Sequence, residues 1–374
     1  MHVALALFRY FPHGGMQRDM MATARALVAR GHAVTVYCRA FDAPRPDGLE
    51  VEVLDVPGRS NHGRARAFAR ALTQRLADAR PDVVLGFDKL PGLDLYFAAD
   101  PCFSTRTATR PWPYRWTPRY RAFAALEREV FSPDGARVLL LDERQRVDYQ
   151  RIYGTAAERF AVLPPGVADD RRRGPNAAEQ RRRCRAALGV PADAFLMLTV
   201  ASNYELKGLD RALRGLASLH GPARERARLL AVGEGPTRRW ASQLTRLGVS
   251  DRCRLLAGRD DVPDLLQAAD LLVHPARRDT TATVLLEAVA AGLPSLCTEA
   301  CGYARHVRTS GAGVVLDEPF AQDDFDRELA LLADQDLTEM GEAALRYADE
   351  VDLHGMHARI VDEVERRYGS RGAT

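Results

Sequence analysis

Apolar residues in this chain follow two alternating rhythms. Short runs, HVALALF at residues 2–8, HAVTVYC at 32–38 and DVVLGF at 82–87, have the length of buried strands. Between them apolar positions recur at helical spacing, over residues 18–30 and 64–79. Strand and helix in alternation predict βαβ units on a parallel sheet. The rhythm stops at Pro164-Pro165-Gly166, a strong breaker, and restarts in FLMLTVA, ARLLAVGEG, CRLLAG, LLVHP and PSLCT, again separated by helical stretches. A turn-rich basic segment between the halves, with Arg171 to Arg173 and Arg181 to Arg183, reads as an interdomain linker that becomes helical. The pattern predicts two Rossmann-like α/β domains, over residues 1–165 and 166–350.

Length agrees with that division. A chain of 374 residues exceeds what one core usually serves, and 46% hydrophobic residues are enough for two. The charge of +3 is what remains of 53 basic against 50 acidic side chains, so bulk charge favours neither nucleic acid nor membrane. The N-terminal run lacks a basic leader and reads as a strand rather than a signal peptide, and no apolar stretch approaches a membrane span. Six scattered cysteines without a CxxC pair read as reduced thiols of a cytosolic protein.

Candidate chemistry lies at the ends of predicted strands. FPHGGMQRDM follows the first one, and adjacent Gly14 and Gly15 remove two Cβ atoms where a phosphate or sugar would approach. In the second half, ADLLVHPARRDTTATVLLEAVAAGLPSLCTEACGY joins Asp270 before a buried strand, a His-Pro stop, a polar loop, a helix opening near Thr283 and a Gly-Leu-Pro turn. Two acids, Asp279 and Glu287, stand eight positions apart across that loop and helix start. ASNYELKGLDRAL puts Lys207 after another strand, and Gly233 and Gly235 form a GxG. No GxGxxG follows the first strand of either half, which excludes the dinucleotide fingerprint. The pairs Asp169-Asp170, Asp260-Asp261 and Asp323-Asp324 lie in apparent turns and read as solvated, while His13, His62 and His274 lack ligand-like spacing. No metal is expected.

This second-half pattern resembles the retaining family-4 glycosyltransferases, which carry two such acids followed by EA…AGLP. The resemblance implies the GT-B fold, two Rossmann-like domains facing a cleft, with nucleotide-sugar binding in the C-terminal domain and residues 351–374 crossing back to the first domain. It implies that Glu287 takes the hydroxyls of the nucleotide's ribose, as a carboxylate can accept two donors at once. It implies that Asp279, Thr280, Thr281 and Ala282 lie against the donor sugar. Asp279 stands where the family has a glutamate and Ala282 where it has a glycine, so the identity of the donor is the property these positions bear on. Lys207 matches the family's cation for the leaving diphosphate. Leu206 and Ser202 occupy the places of its usual arginine partner, leaving Arg259, Arg277 or Arg278 to substitute.

RYFPHGGMQRD, NHGRARAF, GFDKLPGLDLYFAADPCF, RFAVLPPGV and ACGYARHV, in order along the whole chain, are similar to the bacterial enzymes that add glucose to the first heptose of the lipopolysaccharide inner core. On that likeness Gly14 and Gly15 close against the donor's diphosphate, and Asp19 and Asp100 line the acceptor side as groups that orient or deprotonate its hydroxyl. The co-substrate expected is a UDP-sugar, and the acceptor a lipopolysaccharide core.

Residues 102–131 hold what the net charge conceals. Arg106, Arg110, Arg115, Arg119 and Arg121 interleave with Trp112, Tyr114, Trp116 and Tyr120, with no acid before Glu127. Arginine with interfacial aromatics suits an anionic lipid surface, so Arg110, Trp112, Arg115, Trp116 and Arg119 are expected to contact the inner leaflet of the inner membrane, on the cytoplasmic face, rather than nucleic acid. Three other readings stay open: a transferase with another donor or glycoconjugate acceptor, a nucleotide-sugar epimerase on the same fold, and a non-catalytic membrane-binding module.

Overall fold

The computed structural model describes residues 1–12, 14–233 and 237–371. His13 and the Gly235 part of the GxG loop lie outside the described residues. The chain divides into two units, residues 1–164 with 355–374, and residues 165–354.

The first unit is built on seven parallel strands: β1 (His2–Tyr10), β2 (Ala33–Phe41), β3 (Glu50–Val53), β4 (Val83–Gly86), β5 (Leu95–Ala98), β6 (Arg137–Leu140) and β7 (Phe160–Val162). Their order is β3-β2-β1-β4-β5-β6-β7, so the winding reverses between β1 and β4. Alternate residues of β1 serve opposite faces. Val3, Leu5 and Leu7 pack with Met20 and Leu27 of the helix Gly15–Ala29 and with Ile360 and Val364 of the helix Met356–Arg371. Ala4 and Ala6 meet Phe68 and Leu72 of the helix Asn61–Ala79 and Leu126 of the helix Pro118–Phe131. The C-terminal helix is also held by charge: Arg30 reaches Asp362 at 3.1 Å and Glu365 at 2.9 Å, and Arg137 reaches buried Glu363 at 2.7 Å.

The second unit carries six parallel strands, β8 (Phe195–Ala201), β9 (Ala227–Gly233), β10 (Cys253–Leu256), β11 (Leu271–His274), β12 (Ser295–Thr298) and β13 (Gly313–Leu316), ordered β10-β9-β8-β11-β12-β13. Here the reversal falls between β8 and β11. In doubly wound sheets, ligands bind beyond the carboxyl ends of the strands at such a reversal. The loops after β1 and β4 in one unit, and after β8 and β11 in the other, therefore lie where ligands bind in such sheets.

Two local readings change. The basic segment expected to be a linker is an integral part of the second unit. Arg181 and Arg185 of the helix Ala177–Leu188 both bind the Asp270 carboxylate at 2.5 Å, which also accepts from the Leu196 N–H at 2.7 Å. Arg185 further donates to the carbonyls of Ala268 and Ala194. Asp270 thus joins that helix to the starts of β8 and β11. Strands β3, β5, β6 and β13 are not among those expected from the sequence; β3 (EVEV) and β6 (RVLL) carry charged residues within their four positions and so do not stand out as apolar runs.

Glu127 is the corresponding polar hub of the first unit. Its fully buried carboxylate accepts from Lys89 Nζ at 2.5 Å, from the N–H groups of Phe103 at 2.6 Å and Ser104 at 3.0 Å, and from the Tyr153 hydroxyl at 2.6 Å. Burial alone would raise its pKa; the Lys89 charge and these hydrogen bonds overcome that and hold it below the usual glutamate value. Glu127→Ala removes the ion-pair partner of Lys89 and the acceptor of the Phe103 and Ser104 N–H groups, and is expected to cost about 3–5 kcal/mol in urea unfolding at neutral pH. Because the folded pKa is depressed, this contribution is present above the ordinary glutamate range and is lost as pH falls through the folded value, so the difference between wild type and variant narrows in acid.

Candidate active site

In the second unit, the loops after β8 and β11 touch. Gly208 has φ of +76°, and a Cβ there would fall 2.0 Å from the carbonyl oxygen of Pro275. The glycine of the Lys-Gly pair is thereby explained: it lets one loop lie against the other. Arg277 N–H donates to the Leu206 carbonyl at 2.9 Å, and the Arg277 guanidinium forks onto Asp210 at 2.7 and 2.8 Å.

Lys207 and Asp279 meet at this seam. Lys207 Nζ lies 2.7 Å from Asp279 Oδ2, and His274 Nε2 lies 3.0 Å from the same oxygen. His274 closes β11 and is buried. Burial would raise the Asp279 pKa, but the hydrogen bond from His274 and the Lys207 charge hold it well below the usual carboxylate range. The backbone fixes the acid as well: Asp279 N–H donates to the Ala300 carbonyl at 3.1 Å, and Gly302 N–H donates to the Asp279 carbonyl at 3.0 Å. Asp279 is thus an ionised carboxylate with one cation on it, stitched to the segment after β12.

Thr280 and Thr281 continue the loop, half-buried; the Tyr303 N–H donates to the Thr281 carbonyl at 2.7 Å. Ala282 is the N-cap of the helix Thr283–Ala291 and adopts φ 58°, ψ 56°, a left-handed conformation an alanine holds only at a cost. The position where the resembled pattern carries glycine is one whose backbone favours glycine. Glu287, on that helix, is buried, with its carboxylate 3.4 Å from the buried guanidinium of Arg171. Arg171 also contacts Asp170 at 2.9 Å, so one arginine of the supposed linker is a charge partner for a predicted site residue. Arg259 is clamped bidentately on Asp261, and Arg278 is exposed.

The first unit presents a different chemistry. Gly14 is the N-cap of the helix Gly15–Ala29 at φ −81°, and neither it nor Gly15 has a positive φ. A Cβ on Gly14 would meet Gln17 Oε1 at 2.0 Å, whereas one on Gly15 would meet nothing within 4 Å. Close approach of the Gln17 and Phe11 side chains crowds Gly14, whereas nothing among the described residues crowds Gly15. Asp19 lies half-buried on that helix, 3.6 Å from His357 Nε2. Asp100 is exposed and lines a recess of about 160 Å³ together with Asp88, Lys89 and Phe8. Asp88 follows β4 at the winding reversal and accepts the Phe8 N–H at 2.6 Å. Burial pushes its carboxyl up to about 7, the Phe8 N–H opposing and the Asp100 charge adding to the rise.

Residues 102–131 fold as a short helix, Phe103–Thr107, a 3-10 turn, Trp112–Trp116, and the helix Pro118–Phe131 capped by Thr117. Trp112 and Trp116 are 66% and 62% exposed and stack edge-to-face at 4.5 Å. Arg110 lies over Tyr114 at 5.9 Å and Arg115 is exposed, while Arg119 lies over Phe123 at 5.3 Å and lines the Asp100 recess. Among the described residues no helix is long and apolar enough to cross a membrane.

Residues 13–171 match the model of Glycosyltransferase Family 4, and residues 180–349 that of Glycosyl transferases group 1. Over 366 residues the chain is 38% identical to the lipopolysaccharide glucosyltransferase WaaG of Escherichia coli (strain K12), spanning 97% of this chain and 98% of that protein. The chain belongs to the WaaG family of glycosyltransferases. A crystal structure of WaaG, a glycosyltransferase involved in lipopolysaccharide biosynthesis, superposes with a TM-score of 0.93 at 38% identity, over 97% of this chain and 99% of that one. Anabaena HepE, solved with UDP and glucose, shares the fold at 18% identity, with a TM-score of 0.77 over 99% and 100% of the two chains. The GT-B class is thereby established, and the chain is a hexosyltransferase.

The sequence reading assigns Lys207 to the leaving diphosphate and Asp279 to the donor sugar; their pairing, and the places of Arg171 and Asp88, are visible only in the fold. His274, expected to be packed or hydrogen-bonded, is both: it is buried and bonded to Asp279. Arg171 was assigned to a linker. Asp88 was overlooked, although a polar residue directly after DVVLGF is where a strand end delivers side chains to a ligand.

Ala282 supplies a direct test of the loop's geometry. Replacing it with glycine removes the left-handed penalty at some cost in unfolded-state entropy, so Ala282→Gly is expected to stabilise the chain by about 0.5–1 kcal/mol in urea unfolding. A loss of stability of that size would contradict the assigned backbone conformation.

Proposed function

We propose that this chain transfers a hexose, glucose in the first instance, from a UDP-sugar to an inner-core heptose of lipopolysaccharide, retaining anomeric configuration. The observation that carries this reading is the 38% identity to WaaG across nearly the full length of both chains. Lys207 is the cation for the leaving diphosphate, whose charge grows as the glycosidic bond breaks. In the chain as described, that ammonium lies 2.7 Å from Asp279, so the diphosphate competes with Asp279 for Lys207 and leaves the carboxylate to His274 and the donor's hydroxyls. Glu287 takes the ribose, with Gly14, Gly15, Arg259, Thr280, Thr281 and Ala282 completing the donor contacts. Asp100 and Asp19 serve the acceptor. No metal enters the scheme.

Asp279 and Ala282 differ from the resembled pattern at the donor sugar, which favours as a second reading the same transferase with a sugar other than glucose. A thermal-shift panel of UDP-glucose, UDP-GlcNAc, UDP-GalNAc and GDP-mannose separates the two, because only ligands that bind the native state raise its melting temperature. Transfer of labelled glucose from UDP-glucose to a truncated, heptose-terminated core is the direct assay. Lys207→Ala is expected to lower kcat about 100- to 1,000-fold. Absence of transfer to that core by the wild type from every donor in the panel overturns the reading.

The exposed Trp112 and Trp116 with Arg110 and Arg115 support a peripheral place on the cytoplasmic face of the inner membrane, where a lipid-linked acceptor is reached. The Arg110→Glu, Arg115→Glu double variant is expected to lose sedimentation with anionic vesicles while keeping activity on a soluble, deacylated acceptor. Undiminished sedimentation removes this segment from membrane contact.

A further inference from the structure

Two neighbouring recesses open in the first unit. One, of about 160 Å³, holds Asp88, Lys89, Asp100, Arg106 and Arg119 between the rings of Phe8, Phe103 and Phe123. The other, of about 290 Å³, is lined by Arg9, Arg39, Asn61 and Arg64. Phe8 and Phe123 belong to the walls of both. The first recess therefore offers two carboxylates beside the cations Lys89, Arg106 and Arg119, and the second three guanidiniums and an amide with no acid among the described residues of its walls.

The arginines of the second recess are unequal. Arg9 is committed to Asp42. Arg39 and Arg64 have no carboxylate at ion-pair distance among the described residues, and Arg64 Nε is buried without a hydrogen-bond partner. An orphaned guanidinium nitrogen is costly to keep, and in a concave site the group that satisfies it best is a phosphate or carboxylate, bound through a planar fork. Arg39 lies at the carboxyl end of β2, and Asn61 and Arg64 in the first turn of the helix Asn61–Ala79, whose N-terminal end favours the same charge.

The first recess suits a hydroxylated ring. Lys89 is held by Glu127, and Arg106 and Arg119 lie over the rings of Phe103 and Phe123, so Asp88 and Asp100 accept hydrogen bonds from hydroxyls while the aromatic walls receive the C–H face of a sugar ring. Its volume holds one such ring. A ligand satisfying both recesses is a sugar unit with a negative charge beside it.

We propose that the two recesses form one acceptor subsite for a sugar carrying an anionic substituent, Asp88 and Asp100 holding its ring hydroxyls and Arg39 and Arg64 its phosphate or carboxylate. This rests on the transferase reading above and adds which part of the acceptor is recognised by charge. Asp88 is the new sugar-binding residue, and Arg39 with Arg64 the new specificity determinant.

The test uses the full chain and a soluble, heptose-terminated core oligosaccharide without lipid, in three forms: intact, freed of phosphate enzymatically, and carboxyl-reduced. Binding is followed by calorimetry and transfer by donor-saturated kinetics. For the intact oligosaccharide, Arg39→Gln and Arg64→Gln are each expected to raise Kd and acceptor KM about tenfold, with KM for UDP-glucose unchanged. Whichever form has lost the recognised anion binds wild type about tenfold more weakly and is indifferent to the two arginine substitutions. Asp88→Ala weakens all three forms, and Asp88→Asn, which keeps the shape, retains part of the affinity. Equal weakening of intact and stripped forms by the arginine variants, unchanged acceptor KM in them, or no binding of the intact oligosaccharide to wild type overturns the proposal. Binding without transfer overturns the assigned reaction and leaves this subsite standing.

Discussion

The second unit's candidate site depends on one charged contact, the Lys207 ammonium on the Asp279 carboxylate with His274 behind it. A carboxylate in so enclosed a place is stable only while it is neutralised and hydrogen-bonded, so the three segments that carry these groups cannot move independently. Gly208 allows the approach, the bond from Arg277 N–H to the Leu206 carbonyl latches it, and the Asp279 backbone carries the constraint to the segment after β12. The loop geometry that sequence presents as a string of polar residues is a consequence of where that charge must sit. Substituting aspartate for glutamate here shortens the arm, which fits an acid whose first partners are the chain's own lysine and histidine.

Both units solve the positioning problem with the same topology. In each, the winding reverses at the centre of a parallel sheet, and the residues carrying chemistry follow the two strands that flank the reversal. Gly14 and Asp88 come after β1 and β4, Lys207 and Asp279 after β8 and β11. The two sets differ in charge balance. The second unit pairs its acid with a cation, whereas in the first Lys89 is bound to Glu127, and burial, with the Asp100 charge adding to it, pushes the Asp88 carboxyl up to about 7.

Much of this was legible in the chain. Strands as long as HVALALF and FLMLTVA announce themselves, and the breaker at Pro164-Pro165-Gly166 falls at the junction of the two units. The acids Asp279 and Glu287 are visible from spacing and family resemblance. What stayed hidden depends on contacts between residues far apart in sequence. Nothing around Arg171 signals that it faces Glu287, more than a hundred positions away, and nothing in Arg181 and Arg185 names Asp270 as their common partner. Arg39 and Arg64 look like two more arginines in an arginine-rich chain until folding leaves them beside each other without acids. Gly14 and Gly15 were legible as positions without a Cβ, but that the group crowding Gly14 is the chain's own Gln17 could not be read from the sequence.

The last helix returns to the first unit, so that unit is assembled from two pieces of chain with the whole of the second unit between them. During synthesis the second unit is complete before Met356, Ile360 and Val364 exist to cover the face of β1 and β4 that they bury. The first unit must wait with that apolar surface open, while the second closes from contiguous sequence. The core of the first unit can therefore be completed only after the whole second unit has been translated, and until the final helix docks that apolar surface is open to aggregation.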